Sequence, residues 1–112
     1  MALYNPIVVN TTVNSGGSQI SNNVVASTVF VPADLTVAQI LAPQNANRKG
    51  LAMWNDSQNP VYIDFGITPT TERYAFKFNP DGYYETPFGF TGEIQGLWAG
   101  SGGIGIFVRE FV

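Results

Sequence analysis

The amino-acid sequence predicts an all-β fold: an antiparallel, jelly-roll-like sandwich with an extended N-terminal arm. Three observations carry that reading. Short runs rich in β-branched and aromatic residues are interrupted by turn residues roughly every eight to twelve positions, the spacing of sandwiches and barrels. No segment shows a sustained helical period; residues 36–41 could carry a helical turn, but their composition suits a strand equally. The first 33 residues hold no charged side chain, Asp34 being the first. The chain therefore divides into an uncharged arm, residues 1–33, and a body, residues 34–112, that holds every charged side chain.

Within the arm, Ile7, Val8 and Val9 are strand-prone, as are Val24 and Val25, while Ser15-Gly16-Gly17-Ser18 and Ser21-Asn22-Asn23 are turn-like in composition. An uncharged arm has little to bury itself against in its own small chain, so Ile7, Val8, Val9, Val24 and Val25 are candidates for adding a strand to a neighbouring subunit. The alternatives are pairing with the chain's own sheet or no fixed pairing.

Residues 24–31 are the first long apolar run, closed by Pro32, and residues 36–41 are the second predicted strand. Residues 50–55 alternate Leu51, Met53 and Asn55 against Ala52 and Trp54. Residues 55–60 are a turn by composition. Residues 61–65 set Val61, Ile63 and Phe65 against Tyr62 and Asp64, a core face and an outward face. After a loop at 66–71, residues 72–78 set Tyr74, Phe76 and Phe78 against Arg73, Ala75 and Lys77. Asn79-Pro80-Asp81-Gly82 is a strong turn signal. Residues 83–86 form a short strand, 88–90 a corner, and 91–99 a strand with Ile94, Gly96 and Trp98 on one face. Gly100-Ser101-Gly102-Gly103 turns the chain into a last strand over 104–112. Trp54 and Trp98, both mid-strand, are expected in the core.

A chain of 112 residues is one domain. There is no cysteine and no histidine, which removes disulfides, thiolate metal sites and the usual nucleophile–base pairs. Five Lys and Arg against a net charge of -3 argue against nucleic-acid binding. Charged residues make up 12% of the chain, about half the usual share, so much of the surface is expected to be covered by contacts. Neither a signal peptide nor an apolar run long enough to span a membrane is expected. Two glycosylation sequons, at Asn10 and Asn55, read as chance. The carboxylates Asp81, Glu85 and Glu93 do not make a glycosidase pair: Asp81 sits where a turn wants it, and the others are loop and surface positions. Asp56, Asp64 and Asp81 lack calcium-loop spacing. The expectation is no enzyme, no metal and no cofactor.

One stretch carries a resemblance. Asn45-Ala46-Asn47-Arg48-Lys49-Gly50-Leu51 leads into a strand ending at Asn55. It is followed by Val61-Tyr62-Ile63-Asp64-Phe65-Gly66, Gly82-Tyr83-Tyr84-Glu85, Phe90-Thr91-Gly92-Glu93-Ile94 and Leu97-Trp98. Over residues 45–112 this order resembles small β-sandwich structural proteins of tailed bacteriophages, cyanophages included. The resemblance implies a virion protein without enzymatic activity, of the capsid decoration (cement) type. It would be made in the host cytoplasm and sit on the outer surface of the capsid. Its partners would be the major capsid protein and itself, as a homotrimer at local three-fold positions, with no nucleic acid and no membrane. The alternative is a tail or fibre accessory domain that binds host-surface glycans or other tail proteins.

Read from the residues, Asn45 and Asn47 suit a turn before the strand. Arg48 could pair with a carboxylate such as Glu85 or Glu93, or be a solvated surface cation. Tyr83 and Tyr84 are adjacent in a strand and so face opposite ways; one ring is expected outside, against a sugar or a neighbouring protein.

Overall fold

A computed structural model of the chain describes residues 23–86 and 89–112. The β-branched and aromatic runs form eight strands: Val24–Phe30 (β1), Gln39–Ala42 (β2), Gly50–Ser57 (β3), Val61–Phe65 (β4), Phe76–Phe78 (β5), Tyr83–Glu85 (β6), Ile94–Trp98 (β7) and Gly103–Phe111 (β8). They pair in two antiparallel four-stranded sheets of order β1-β8-β3-β6 and β2-β7-β4-β5. Within each sheet consecutive strands are mostly apart: β1 pairs with β8, β2 with β7, β3 with β6 and β4 with β5. That nesting is the jelly-roll order, two Greek keys folded into a sandwich. No helix occurs among the described residues.

Alternation decides which side chains enter the core. Leu51 and Met53 from β3 and Ile106 and Val108 from β8 face Val61 and Ile63 from β4 and Ile94 and Trp98 from β7; all are 2% exposed or less. Gly96 stands in β7 because a Cβ there would come within 2.8 Å of Val61 Cγ1 and 3.0 Å of Leu41 Cδ1. Partly buried Phe65, Phe76, Tyr84 and Phe90 extend the core, with Phe76 and Tyr84 ring centroids 4.7 Å apart.

Several boundaries differ from the sequence reading. Val24 and Val25, assigned to the arm, begin β1, which pairs with β8 without interruption from Val24↔Phe111 to Phe30↔Gly105. Ile7, Val8 and Val9 lie outside the described residues. The second strand starts at Gln39 rather than Thr36, because Asp34 Oδ1 accepts from both the Thr36 amide (3.0 Å) and hydroxyl (2.6 Å) and turns the chain first. The same bonds, hydroxyl first, hold the Asp34 carboxyl below the usual range. The fifth strand keeps only Phe76–Phe78, since Thr70 Oγ1 accepts from the Glu72 and Arg73 amides and closes a turn.

Two buried polar side chains pin β3, one at each end. Before it, Asn45 Oδ1 accepts from the Asn47 amide at 3.0 Å and the Asn45 carbonyl from the Arg48 amide at 3.1 Å. This turn delivers the Arg48 side chain into the sandwich, where the residue is 2% exposed. Arg48 Nε donates to Glu110 Oε2 at 2.7 Å, Nη1 to the carbonyls of Phe90 and Gly92 at 3.0 and 2.8 Å, and Nη2 to that of Pro43 at 2.5 Å. One guanidinium thus ties together the end of β2, the approaches to β3 and β7, and β8. Its carboxylate is Glu110. Of the two partners considered from the sequence, Glu85 accepts instead from Tyr83 and Glu93 from Gln95.

At the far end of β3, Asn55 is fully buried. Its Nδ2 donates to the carbonyls of Phe78 (2.7 Å) and Asn59 (3.2 Å), and its Oδ1 accepts from the Ser57 amide (2.9 Å) and hydroxyl (2.5 Å). Trp98 Nε1 donates to Ser57 Oγ at 3.2 Å. Every hydrogen-bonding position of this amide is used inside the protein, so the sequon at Asn55 is inaccessible.

Candidate functional site

The inward face of each sheet is consumed by the core, so any partner meets the outward faces, the edges or the loops. On the β1-β8-β3-β6 sheet, strand register lays the outward side chains in rows. Tyr83, Trp54, Phe107 and Thr28 form one row across the four strands, and Glu85, Ala52, Arg109 and Ala26 the next. Gly105 and Phe30 continue the face on one side, and Gly50, Phe111 and Val24 on the other. Small residues in the second row leave a trough beside the aromatic row, lined by Ala52, Trp54, Tyr83, Phe107 and Arg109.

The face is apolar and open. Phe30 is 67% exposed, Tyr83 59% and Trp54 46%. Trp54 therefore departs from the sequence expectation that both tryptophans are core; only Trp98, 2% exposed, is buried. Period-two alternation had already grouped Trp54 with Ala52 and away from Leu51 and Met53. A large ring with a small neighbour on the minority face is the signal that could have placed it outside. Phe30, Phe107 and Arg109 were not singled out from the sequence. Only pairing register, a non-local property, brings Phe107 and Arg109 beside Trp54 and puts Phe30 on the same face of the sheet.

Tyr83 and Tyr84 face opposite ways, as adjacent strand residues must. Tyr84 turns inward against Phe65 and Phe76, and this burial raises its phenol above the ordinary value of 10.0. Tyr83 turns outward and donates its hydroxyl to Glu85 Oε2 at 2.5 Å. That bond, then desolvation and the Glu85 charge, raises its phenol as well. Both groups are acids whose protonated form is favoured by folding. Their contribution is fully present below the ordinary tyrosine value and is lost as pH climbs through the raised ones. In an NMR-followed titration of the Tyr83 ring, the midpoint is expected to lie above 10.0. Glu85→Gln is expected to bring it down, and an unchanged midpoint would remove the carboxylate as the cause.

Asn45, Asn47 and Arg48 lie at one end of the sandwich, where the geometry is that of an internal anchor. No group of three or more Asp or Glu that could hold a metal occurs among the described residues. No helix among them is long and apolar enough to cross a membrane, which leaves strand-built membrane proteins untouched.

Compared with protein-family models, curated proteins and solved structures, the chain matches none. Its fold class is nevertheless defined by strand order: an all-β jelly-roll sandwich.

Proposed function

We propose that this chain is a non-enzymatic structural protein of a tailed-phage virion, a capsid decoration protein that binds and stabilises the assembled head. The observation that carries the reading is the outward face of Phe30, Trp54, Tyr83 and Phe107. A contiguous aromatic surface on a small sandwich is the kind that buries against another protein, aromatic residues being the anchors of such contacts. The low charge content and the sequence resemblance over residues 45–112 support the same reading. The major capsid protein would be the partner. The N-terminal residues, Ile7 to Val9 among them, would extend the contact. Binding the assembled lattice in preference to free subunits stabilises the lattice by mass action.

Immunogold labelling of purified virions with an antibody to this protein tests the proposal. Label over the head is the expected result. The exposed Trp54–Tyr83 pair would equally suit stacking on a sugar ring, and label at the tail would move the reading to a tail or fibre accessory domain that binds host glycans. Absence of label anywhere would overturn both.

The aromatic face gives a second test. Trp54→Ala removes a half-exposed ring and is expected to leave the melting temperature nearly unchanged. Its affinity for heads that lack the protein should fall at least about tenfold, the loss typical of an interface anchor. Equal co-sedimentation of wild type and variant with such heads would show that this face is not the docking surface.

A further inference from the structure

We infer that the free edge of β1 pairs with the same edge of a second copy of this chain, antiparallel about a two-fold axis through Ser27, so that two four-stranded sheets become one of eight. This goes beyond the virion reading and does not depend on it. It replaces the three-fold association expected from the symmetry of cement sites with a two-fold one.

Four strands lie at sheet edges, and they are not alike. β5 and β6 have three residues each and carry Lys77 and Glu85; β2 has four and is broken by a register shift between Ile40 and Ala42. Short length, charge and irregularity are the ordinary protections of an edge against strand addition. β1 has none of them. It is seven residues long, reads Val-Val-Ala-Ser-Thr-Val-Phe, keeps one register throughout, and has neither charge nor proline. Among the described residues nothing pairs with its outer side.

Hydrogen-bond phase fixes which groups are on offer. The Val31 amide donates to the Ile104 carbonyl at 3.1 Å and the Val112 amide to the Asn23 carbonyl at 3.0 Å. Odd-numbered residues of β1 therefore bond to β8, and the amides and carbonyls of Val24, Ala26, Thr28 and Phe30 point away from it, because the pairs alternate. Pairing two copies about Ser27 sets Val24 opposite Phe30 of the second copy and Ala26 opposite Thr28. The outward-pointing groups then meet one another over the full strand.

Side chains match in the same register. On the outer face, Phe30 of one copy lies beside Val24 of the other, whose own neighbour in its sheet is Phe111. On the inner face Val25 lies beside Val29. Phe30, Val24 and Val25, exposed at 67%, 54% and 50% in the single chain, each gain an apolar partner. No charge stands opposite a like charge along the contact, since residues up to Ala33 have none. Seven residues a side is short of the roughly 20–30 of a standard interface, so the dimer is expected to be concentration-dependent.

The chain has no cysteine, which makes cross-linking a clean test on the full-length protein. Ser27 would meet its own copy as a non-hydrogen-bonded pair, with Cα atoms about 4.5 Å apart, within disulfide reach. Ser27→Cys is expected to convert largely to a covalent dimer under mild oxidation. Thr28→Cys, whose opposite residue would be Ala26, is expected to remain mostly monomeric. Separately, Thr28→Pro removes an edge donor without touching the β1–β8 ladder. It should abolish the reversible dimer seen for the wild type by sedimentation while keeping the native circular dichroism. Equal cross-linking of the two cysteine variants, a monomeric Ser27→Cys, or a wild type that stays monomeric at high concentration would each overturn the inference. The monomeric results would show the edge covered by the chain's own N-terminal residues or left unpaired.

Discussion

Replacing Arg48 with alanine is expected to destabilise the protein by about 3–5 kcal/mol, the loss seen when one partner of a buried ion pair is removed. Among the described residues the guanidinium is the sole cation in contact with Glu110, whose side chain is 15% exposed, and its own side chain is fully buried. Its removal leaves that carboxylate and the carbonyls of Pro43, Phe90 and Gly92 without the donors they face. Total stability of a domain this size is roughly 5–15 kcal/mol, so much of the margin disappears. Arg48→Lys is expected to recover little, because one ammonium cannot reproduce a planar fork aimed at four acceptors. Urea unfolding followed by the fluorescence of buried Trp98 reads the change directly. A loss under about 1 kcal/mol, the range of an exposed pair, would contradict the burial of this side chain.

Asn55→Asp is the second severe change, and its effect should depend on pH. The substitution keeps the shape but replaces Nδ2, which donates to the Phe78 and Asn59 carbonyls, by an oxygen. An ionised carboxylate there would set acceptor against acceptor at a site with no solvent exposure. The expected loss at neutral pH is about 3 kcal/mol or more, from the unsatisfied groups and the buried charge together. Burial raises the introduced carboxyl's folded pKa above its unfolded one. Stability relative to wild type should therefore be best in acid, where the protonated group can donate to one carbonyl, and should worsen as pH rises through the carboxylate range. Paired melts of variant and wild type at acidic and neutral pH test this. A pH-independent difference would mean that the site opens to water when it ionises.

The fold was legible where the sequence signal was local and periodic. Alternation in 50–55 and 61–65 grouped Leu51 with Met53 and Val61 with Ile63 correctly, and the Pro-Asp-Gly sequence marked the bend between β5 and β6. Asp81 indeed takes a left-handed conformation there, with φ of 62°. Alternation says which residues share a face, however, not which face is wet, and Trp54 fell on the wrong side of that distinction. Side chain–backbone competition shortened two strands: Asp34 captures Thr36, and Thr70 captures Arg73. The partner of Arg48 is 62 positions away, and no local pattern encodes so distant a pairing. The aromatic face has the same character, since Phe30, Trp54, Tyr83 and Phe107 come onto one face only through three separate strand registers.

The nested pairing of the strands has a kinetic side. β4 with β5, β3 with β6, β2 with β7 and β1 with β8 make the chain one long hairpin rolled onto itself. Loop-closure entropy favours the innermost pair, so assembly should zip outward from β4–β5 and lay β1 down last. The strand added last, with a neighbour on one side alone among the described residues, is also the first to fray. Its amides should exchange with solvent ahead of those in β3 and β7. The same strand is the one most open to capture by another chain during that interval, when the nascent molecule is otherwise finished.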